Sequence, residues 1–281
     1  MVPSIARMNA SRLTLPRVLA AVLLLVVIAY GGAMIWLAAN ESRLIFEAQA
    51  TLGDRRPAAP LQIDGETWLM RTATSPDSRP WVVFLHGNAS TIASRMNILH
   101  YERLRDLGLN VIVREYRGYG GVAGVPTESG MFEDAMAAYA YLRQHEHVDP
   151  GRIVIYGWSL GSAVAVTLAA SVDESAVILE GAPASVVDIG QQRYPFFPVR
   201  LIIRNPFESI RRIERIGSPV LFLHSPEDTV IPIAEGRRLF DAAPPPKQFV
   251  EVSGGHVYAS EKDRRFFPAI GAFLRSQHLL P

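Results

Sequence analysis

Seven short runs rich in apolar residues recur along this chain, at 67–71, 81–86, 111–115, 152–156, 176–179, 220–224 and 248–252. Each is four to six residues long, which suits buried strands rather than helices. Between the runs the period becomes helical. A segment over 92–107 stops at Gly108, a residue free to adopt the left-handed conformation that closes a helix. Phe132, Ala135, Met136, Tyr139 and Leu142 form one apolar stripe, with Glu133 and Asp134 in its first turn. A small apolar helix is expected over 160–170, and Phe266, Ile270 and Phe273 mark a last one. Strands that alternate with helices require crossover connections, so the pattern predicts an α/β fold whose central sheet is mostly parallel with helices on both faces. This domain is expected over 61–281, with no second domain boundary. One segment, 182–212, breaks the alternation; rich in proline and aromatics and too long for an ordinary connection, it is read as a short cap insertion over the site.

The front of the chain obeys a different rule. Residues 18–39 contain no charged side chain, and as a helix they span about 33 Å, enough for the hydrocarbon core of a bilayer. The apolar region of a cleaved signal peptide is shorter, about 7–15 residues, and ends at a small-x-small site. Here Trp36 and Leu37 stand where small residues would be needed, so the run is expected to be an uncleaved transmembrane anchor. Arg7, Arg12 and Arg17 are the only charges before Glu41, and Arg43 is the only base just after the span. That asymmetry predicts a cytoplasmic tail over 1–17 and a body outside the cytoplasm, periplasmic in a bacterial host. Residues 40–60 are expected to be a turn-rich juxtamembrane linker ending near Arg55-Arg56-Pro57 and Pro60. The rest of the chain carries 25 basic against 27 acidic residues, which offers no electrostatic basis for a nucleic-acid partner. With no cysteine, thiolate nucleophiles and cysteine-ligated metal sites are excluded.

Chemistry concentrates at Gly157-Trp158-Ser159-Leu160-Gly161, a G-x-S-x-G pattern. It follows the strand run RIVIY and precedes the helical run SAVAVTLAA, the strand–turn–helix context that a nucleophile elbow requires. The glycines have a steric reason: at so sharp a turn, larger neighbours would clash with the adjoining strand and helix. A serine hydroxyl becomes nucleophilic only when a base removes its proton, and the base needs an acid to hold its tautomer. An elbow places these partners later in the chain, acid before histidine. Asp228 lies four residues past the run VLFLH, in the turn SPEDTVIP, and His256 follows QFVEV in the turn SGGH. Both fall at the strand ends on the sheet edge that carries Ser159. Glu180 and Glu227 are the competing acids. His145, His147 and His278 fall at polar positions, His100 is mid-helix and His224 ends a strand.

The developing oxyanion needs two donors. One is the backbone N–H of Leu160, directly after the nucleophile, and the other is assigned to Asn88, in the turn His86-Gly87-Asn88 after a strand. His86 itself is read as a structural turn residue. Gly118-Tyr119-Gly120-Gly121-Val122-Ala123 fits G-x-G-x-x-A formally, but Gly124 and Pro126 block the helix a pyrophosphate site would need. His145-Glu146-His147 lacks the HExxH spacing of a zinc site. No cofactor or metal is expected.

With HGNAS, REYRGYGGVAGVPTESG, GWSLGSAVAV, ILEGAP, NPFESI, LHSPEDTVIP and SGGH in register, the chain resembles the membrane-anchored α/β-hydrolases of the bud-emergence-protein-like group, over about residues 40–275 and the N-terminal anchor. The resemblance implies an α/β-hydrolase fold and a single-pass serine hydrolase with Ser159 as nucleophile, Asp228 as acid and His256 as base. It departs in having Val257-Tyr258 where the group more often has a polar pair, and Glu180-Gly181-Ala182-Pro183 where it has ENTF or EGPF; both leave the triad intact and bear on the substrate pocket. The expected activity is hydrolysis of an ester, thioester or amide of a small-molecule, lipid or acylated substrate. Tyr194, Phe196, Phe197, Val199 and Leu201 either line a pocket for an acyl chain or pack the cap. An aminopeptidase-like hydrolase, using Glu208 or Asp188 to hold an ammonium, and an anchored scaffold without turnover are the other readings.

Overall fold

The computed structural model describes residues 15–48, 61–62, 66–73 and 79–281. The chain divides into two compact units, Met1–Glu41 and Ser42–Pro281. Helix α1 (Leu15–Ile45) has 31 residues, about 46 Å of helix. It is long and apolar enough to cross a membrane. Leu19, Leu23, Leu25, Ile28 and Ile35 are each more than half exposed, as lipid-facing side chains would be. The helix runs past residue 39, where the apolar stretch ends, and continues to Ile45. The first six residues expected to be linker are therefore helical, because Glu41, Ser42 and Arg43 are polar without being helix breakers. The last three residues of the expected tail, 15–17, are also helical, while residues 1–14 of that tail and 49–60 of the linker lie outside the described residues.

The second unit is built on an eight-stranded sheet in the order β1-β2-β4-β3-β5-β6-β7-β8. Its strands are β1 (Leu61–Gln62), β2 (Thr67–Met70), β3 (Trp81–Leu85), β4 (Asn110–Arg114), β5 (Ile153–Trp158), β6 (Ala176–Glu180), β7 (Val220–His224) and β8 (Lys247–Glu251). The pairings β1–β2 and β2–β4 are antiparallel and the remaining five are parallel. Seven strands coincide with the apolar runs to within one or two residues; the two-residue β1 had no such run to mark it.

Side chains on the parallel strands alternate between two cores. Val83, Leu85, Ile155, Leu179 and Phe222 pack on one face with α3 (Glu128–Gln144) and α4 (Leu160–Ala169). Phe84, Tyr156, Ile178 and Leu223 pack on the other with α2 (Arg95–Asp106) and α9 (Phe266–Ser276). Both faces are covered, which is why these strands read as continuous apolar runs. The chain passes from β3 outward to β4 and then returns to place β5 on the other side of β3. Loops leaving β3 and β5 thus face each other at the point where winding reverses, the usual ligand crevice of an open α/β sheet.

Segment 182–212 forms two short helices, α5 (Val186–Arg193) and α6 (Val199–Ile202). Carboxylates from the main body anchor it. Glu128 accepts from the Phe207 N–H at 2.8 Å, and Glu235 accepts from the Ser185 N–H at 3.3 Å. Val199 is buried, but Phe196 and Leu201 are 85% and 82% exposed, so the aromatic cluster is not simply a small core.

Crowding at the crevice generates a test. A Cβ on Gly161 would lie 2.1 Å from the Leu85 carbonyl oxygen and 2.5 Å from that of His86, while one on Gly217 would meet nothing within 4 Å. Gly161→Ala should destabilise the protein by at least about 1–3 kcal/mol. Gly217→Ala should be neutral or stabilising by up to about 1 kcal/mol, as read from urea unfolding midpoints of the detergent-solubilised protein.

Candidate active site

Between β5 and α4 the chain turns on Ser159, whose backbone sits at φ +55° and ψ −123°. A side chain at positive φ of this kind is strained by about 1–3 kcal/mol and persists only where its surroundings over-determine it. Here they do. The Ser159 N–H donates to the Glu180 carbonyl at 2.8 Å, and Ser162 Oγ donates to the carbonyls of Gly157 at 2.7 Å and Glu180 at 3.0 Å. A Cβ on Gly157 would fall 2.5 Å from Gly161 O and Ser162 Cα. Both glycines of the pattern therefore answer to backbone contacts no larger residue could share.

Ser159 Oγ lies 2.7 Å from His256 Nε2, and His256 Nδ1 lies 2.6 Å from Asp228 Oδ2. Three residues from separate strand ends meet in one hydrogen-bonded chain. Asp228 is held rigidly, because its Oδ1 accepts the N–H groups of Val230 at 2.9 Å and Ile231 at 2.8 Å, leaving Oδ2 for the imidazole. His256 stands in the first turn of α8 (Gly255–Lys262) rather than in an open turn. Gly254 and Gly255, at φ +113° and +70°, swing the chain into that helix.

The competing acids are engaged elsewhere. Glu227 Oε2 accepts from the Gly254 N–H at 3.2 Å and so braces the loop before the histidine. Glu180 is buried on the opposite face, taking Tyr156 Oη at 2.6 Å and His100 Nε2 at 2.9 Å. His100 stacks on Trp158 at 5.3 Å, directly before the nucleophile. In the sequence alone His100 is an ordinary mid-helix residue. The available signal was Glu180 itself, a carboxylate ending an apolar strand, which needs a buried partner.

The loop after β3 is just as tightly determined. His86 Nε2 lies 2.9 Å from Glu115 Oε1, and Glu115 Oε2 accepts the Ile92 N–H at 2.9 Å. His86 Nδ1 lies 2.8 Å from Gly87 O and 3.2 Å from Ser90 Oγ. His86 is a buried brace that does not meet the Ser159 hydroxyl. The nearby glycine run has a related use, since a Cβ on Gly120 would come within 2.4 Å of Glu115 Oε2. A Cβ on Gly87 would lie 3.1 Å from Ser159 Cβ, which brings the Gly87-Asn88 turn against Ser159. Leu160 opens α4, so its N–H belongs to the positive end of that helix.

An imidazole between a buried carboxylate and a hydroxyl, beside two backbone turns rich in N–H groups, can move a proton while an alkoxide attacks a carbonyl. Residues 80–201 match the family model described as the alpha/beta hydrolase fold. An uncharacterized protein of Mycobacterium tuberculosis is 38% identical over 209 residues, 74% of each chain. The chain belongs to the α/β-hydrolase family. Protein bem46 of Schizosaccharomyces pombe is 34% identical over 59% of this chain and 57% of its own. The Danio rerio lysophosphatidylserine lipase ABHD12 is 31% identical over 72% of this chain and 59% of its own. Among solved structures, the Pyrococcus furiosus esterase Pf2001 superposes with a TM-score of 0.66, at 17% identity, over 82% of this chain and 96% of that one. The protein is accordingly a hydrolase with esterase- and lipase-like relatives.

Behind the acid, His224 Nε2 lies 2.9 Å from the Ile231 carbonyl and 3.6 Å from Asp228 Oδ2. Burial pulls its imidazole below the ordinary value of 6.5, against the opposing pull of Ile231 O and Asp228. The unfolded chain then binds a proton that the folded chain refuses, so stability from neutral His224 is present above pH 6.5 and lost as the pH falls through the folded value. Thermal midpoints should decline on acidification below pH 6.5, and His224→Gln, which keeps a donor for Ile231, should make that decline shallower.

Proposed function

We propose that this protein is a membrane-anchored serine hydrolase that cleaves an ester or thioester of a lipophilic acyl group. One observation carries the reading: the hydrogen-bonded chain from Ser159 Oγ through His256 to Asp228, at 2.7 and 2.6 Å. His256 Nε2 takes the serine proton as Oγ attacks the acyl carbon. Asp228 holds the tautomer that leaves Nε2 free and stabilises the imidazolium that forms. The N–H groups of Leu160 and Asn88 receive the oxyanion. Collapse of the tetrahedral intermediate breaks the bond to the leaving group, which takes the proton from His256. Water, deprotonated by the same imidazole, then releases the acid from Ser159.

Several features favour a lipophilic substrate. Phe196, Leu201, Val230, Val257 and Tyr258 are exposed on the cap, on the Asp228 turn and on the His256 helix. The relative from Danio rerio is named as a lysophosphatidylserine lipase. A bilayer held close by α1 would supply such substrates, with the basic N-terminus in the cytoplasm and the hydrolase body on the opposite side. The aminopeptidase-like alternative loses its basis, because the acids it would use are already neutralised. Asp188 is paired with Arg200 and Arg238, and Glu208 with Arg211 at 3.1 Å.

The full-length protein in detergent should react with a fluorophosphonate probe and hydrolyse p-nitrophenyl esters, with longer acyl chains preferred and aminoacyl amides left intact. Ser159→Ala should abolish both labelling and turnover. A folded wild-type protein that neither labels nor turns over would instead establish the anchored scaffold. Asp228→Asn should lower kcat by about 10⁴ without changing the unfolding midpoint by more than a few degrees, as measured by steady-state kinetics and thermal denaturation.

A further inference from the structure

Asn88 enters the mechanism through its backbone, yet its side chain makes three hydrogen bonds of its own. Oδ1 accepts from the Glu47 N–H at 2.8 Å and from Tyr119 Oη at 2.7 Å, and Nδ2 donates to the Ile45 carbonyl at 2.6 Å. These bonds fill both acceptor positions of the amide oxygen and use one of its two N–H groups. Two of the three run to the segment that leaves α1. Ile45 is the last residue of that helix, and Glu47 follows two residues later. Between them Phe46 is 4% exposed and meets Phe207 edge to face at 6.0 Å. Residues 45–47 are therefore seated on the hydrolase body by a buried ring and a saturated carboxamide, not strung past it as a loose tether.

The loop that receives this contact is the one beside the nucleophile. Its other supports, His86 with Glu115 and Ser90 with Gly87 O, come from within the sheet and the following turn. Among the described residues, the Asn88 carboxamide hydrogen-bonds this loop to Ile45 and Glu47 of the membrane-proximal chain. A donor for an oxyanion must be held at about 2.7–3.1 Å, and a misplacement of about 1 Å can cost 10²-fold in rate.

We infer that the segment Ile45–Glu47, docked through the Asn88 side chain, positions the oxyanion-binding N–H of Asn88, so that the membrane-proximal chain is part of the active-site framework. Asn88 thus has two functions: its N–H contacts the reacting oxygen, and its carboxamide is a positioning group. This inference rests on the serine-hydrolase reading above. It identifies an element that truncation at the end of the apolar run would leave in place and truncation after residue 48 would remove.

The test uses the full-length protein in detergent micelles with p-nitrophenyl butyrate. Asn88→Ala keeps the backbone N–H but loses all three side-chain bonds, and should lower kcat at least about tenfold while KM stays within about twofold. Phe46→Ala, which leaves the Asn88 side chain intact and unseats the docked segment, should lower kcat in the same sense. The double variant should be no slower than Asn88→Ala, because both changes break one coupling. Amide hydrogen exchange supplies a readout that a merely structural role would not move. Phosphonylation of Ser159, which sets a tetrahedral oxyanion against the loop, should slow exchange of the Glu47 N–H several-fold in the wild type and leave it unchanged in Asn88→Ala. Should Asn88→Ala fail to fold, Tyr119→Phe removes one of the three bonds and should reduce kcat by a smaller factor. Wild-type kcat in both Phe46→Ala and Asn88→Ala (in Tyr119→Phe, if Asn88→Ala does not fold), with Ser159→Ala inactive, overturns this inference alone. Additive losses in the double variant, or no change at Glu47 on phosphonylation, overturn it as well. Turnover that survives Ser159→Ala overturns the serine-hydrolase reading and this inference with it.

Discussion

A serine backbone at φ +55° and ψ −123° is the constraint around which the catalytic edge is built. Such a conformation is stable only if the strand before it, the helix after it and the neighbouring strand all close on it at backbone distance. Gly157 and Gly161 allow that closeness, with imaginary Cβ atoms 2.5 Å or less from carbonyl oxygens of Gly161, Leu85 and His86. Because Gly161 packs on the end of β3, the loop leaving β3 is drawn against Ser159. The same strained turn therefore also sets how the loop leaving β3 stands beside the Ser159 hydroxyl. The reversal of strand order at β3 and β5 provides the room between those loops.

Among the described residues, three histidine–carboxylate pairs within hydrogen-bond distance converge on this edge, and their surroundings assign them different work. His86 with Glu115, at 2.9 Å, and His100 with Glu180, at 2.9 Å, are buried and have no route to a reacting carbonyl. Each braces one side of the elbow, the first under the loop after β3 and the second behind Trp158. His256 with Asp228 is the pair that ends on a serine hydroxyl. The chemistry of the three pairs is alike; what differs is access and the third partner. Buried polar pairs of this kind rigidify a core when nearly every member is satisfied, which suits elements that must hold a strained turn.

Residues 45–47 are held to the rest of the hydrolase body by more than peptide bonds. Ser42–Ala48 belongs to the body as a compact unit, and Phe46 is part of its main apolar core.

Much of this architecture was legible in one dimension. Strand positions followed from short apolar runs, since strands buried on both faces must be apolar throughout, and helix α2 ended before Gly108 as its position required. That Ser159, Asp228 and His256 would come together could be expected because an elbow imposes a chain order on its partners, and chain order is a property of sequence. What the sequence could not state was any pairing between residues far apart along the chain with no motif to link them. His100 looked like an ordinary helical residue until the fold set it 2.9 Å from Glu180, and Asn88 looked like a backbone donor alone until the fold brought Ile45 and Glu47 to its side chain. Composition and periodicity report which face of an element is buried. Which particular polar atoms meet across that buried face is decided only when the sheet order and the packing of its covering segments bring them within hydrogen-bond reach.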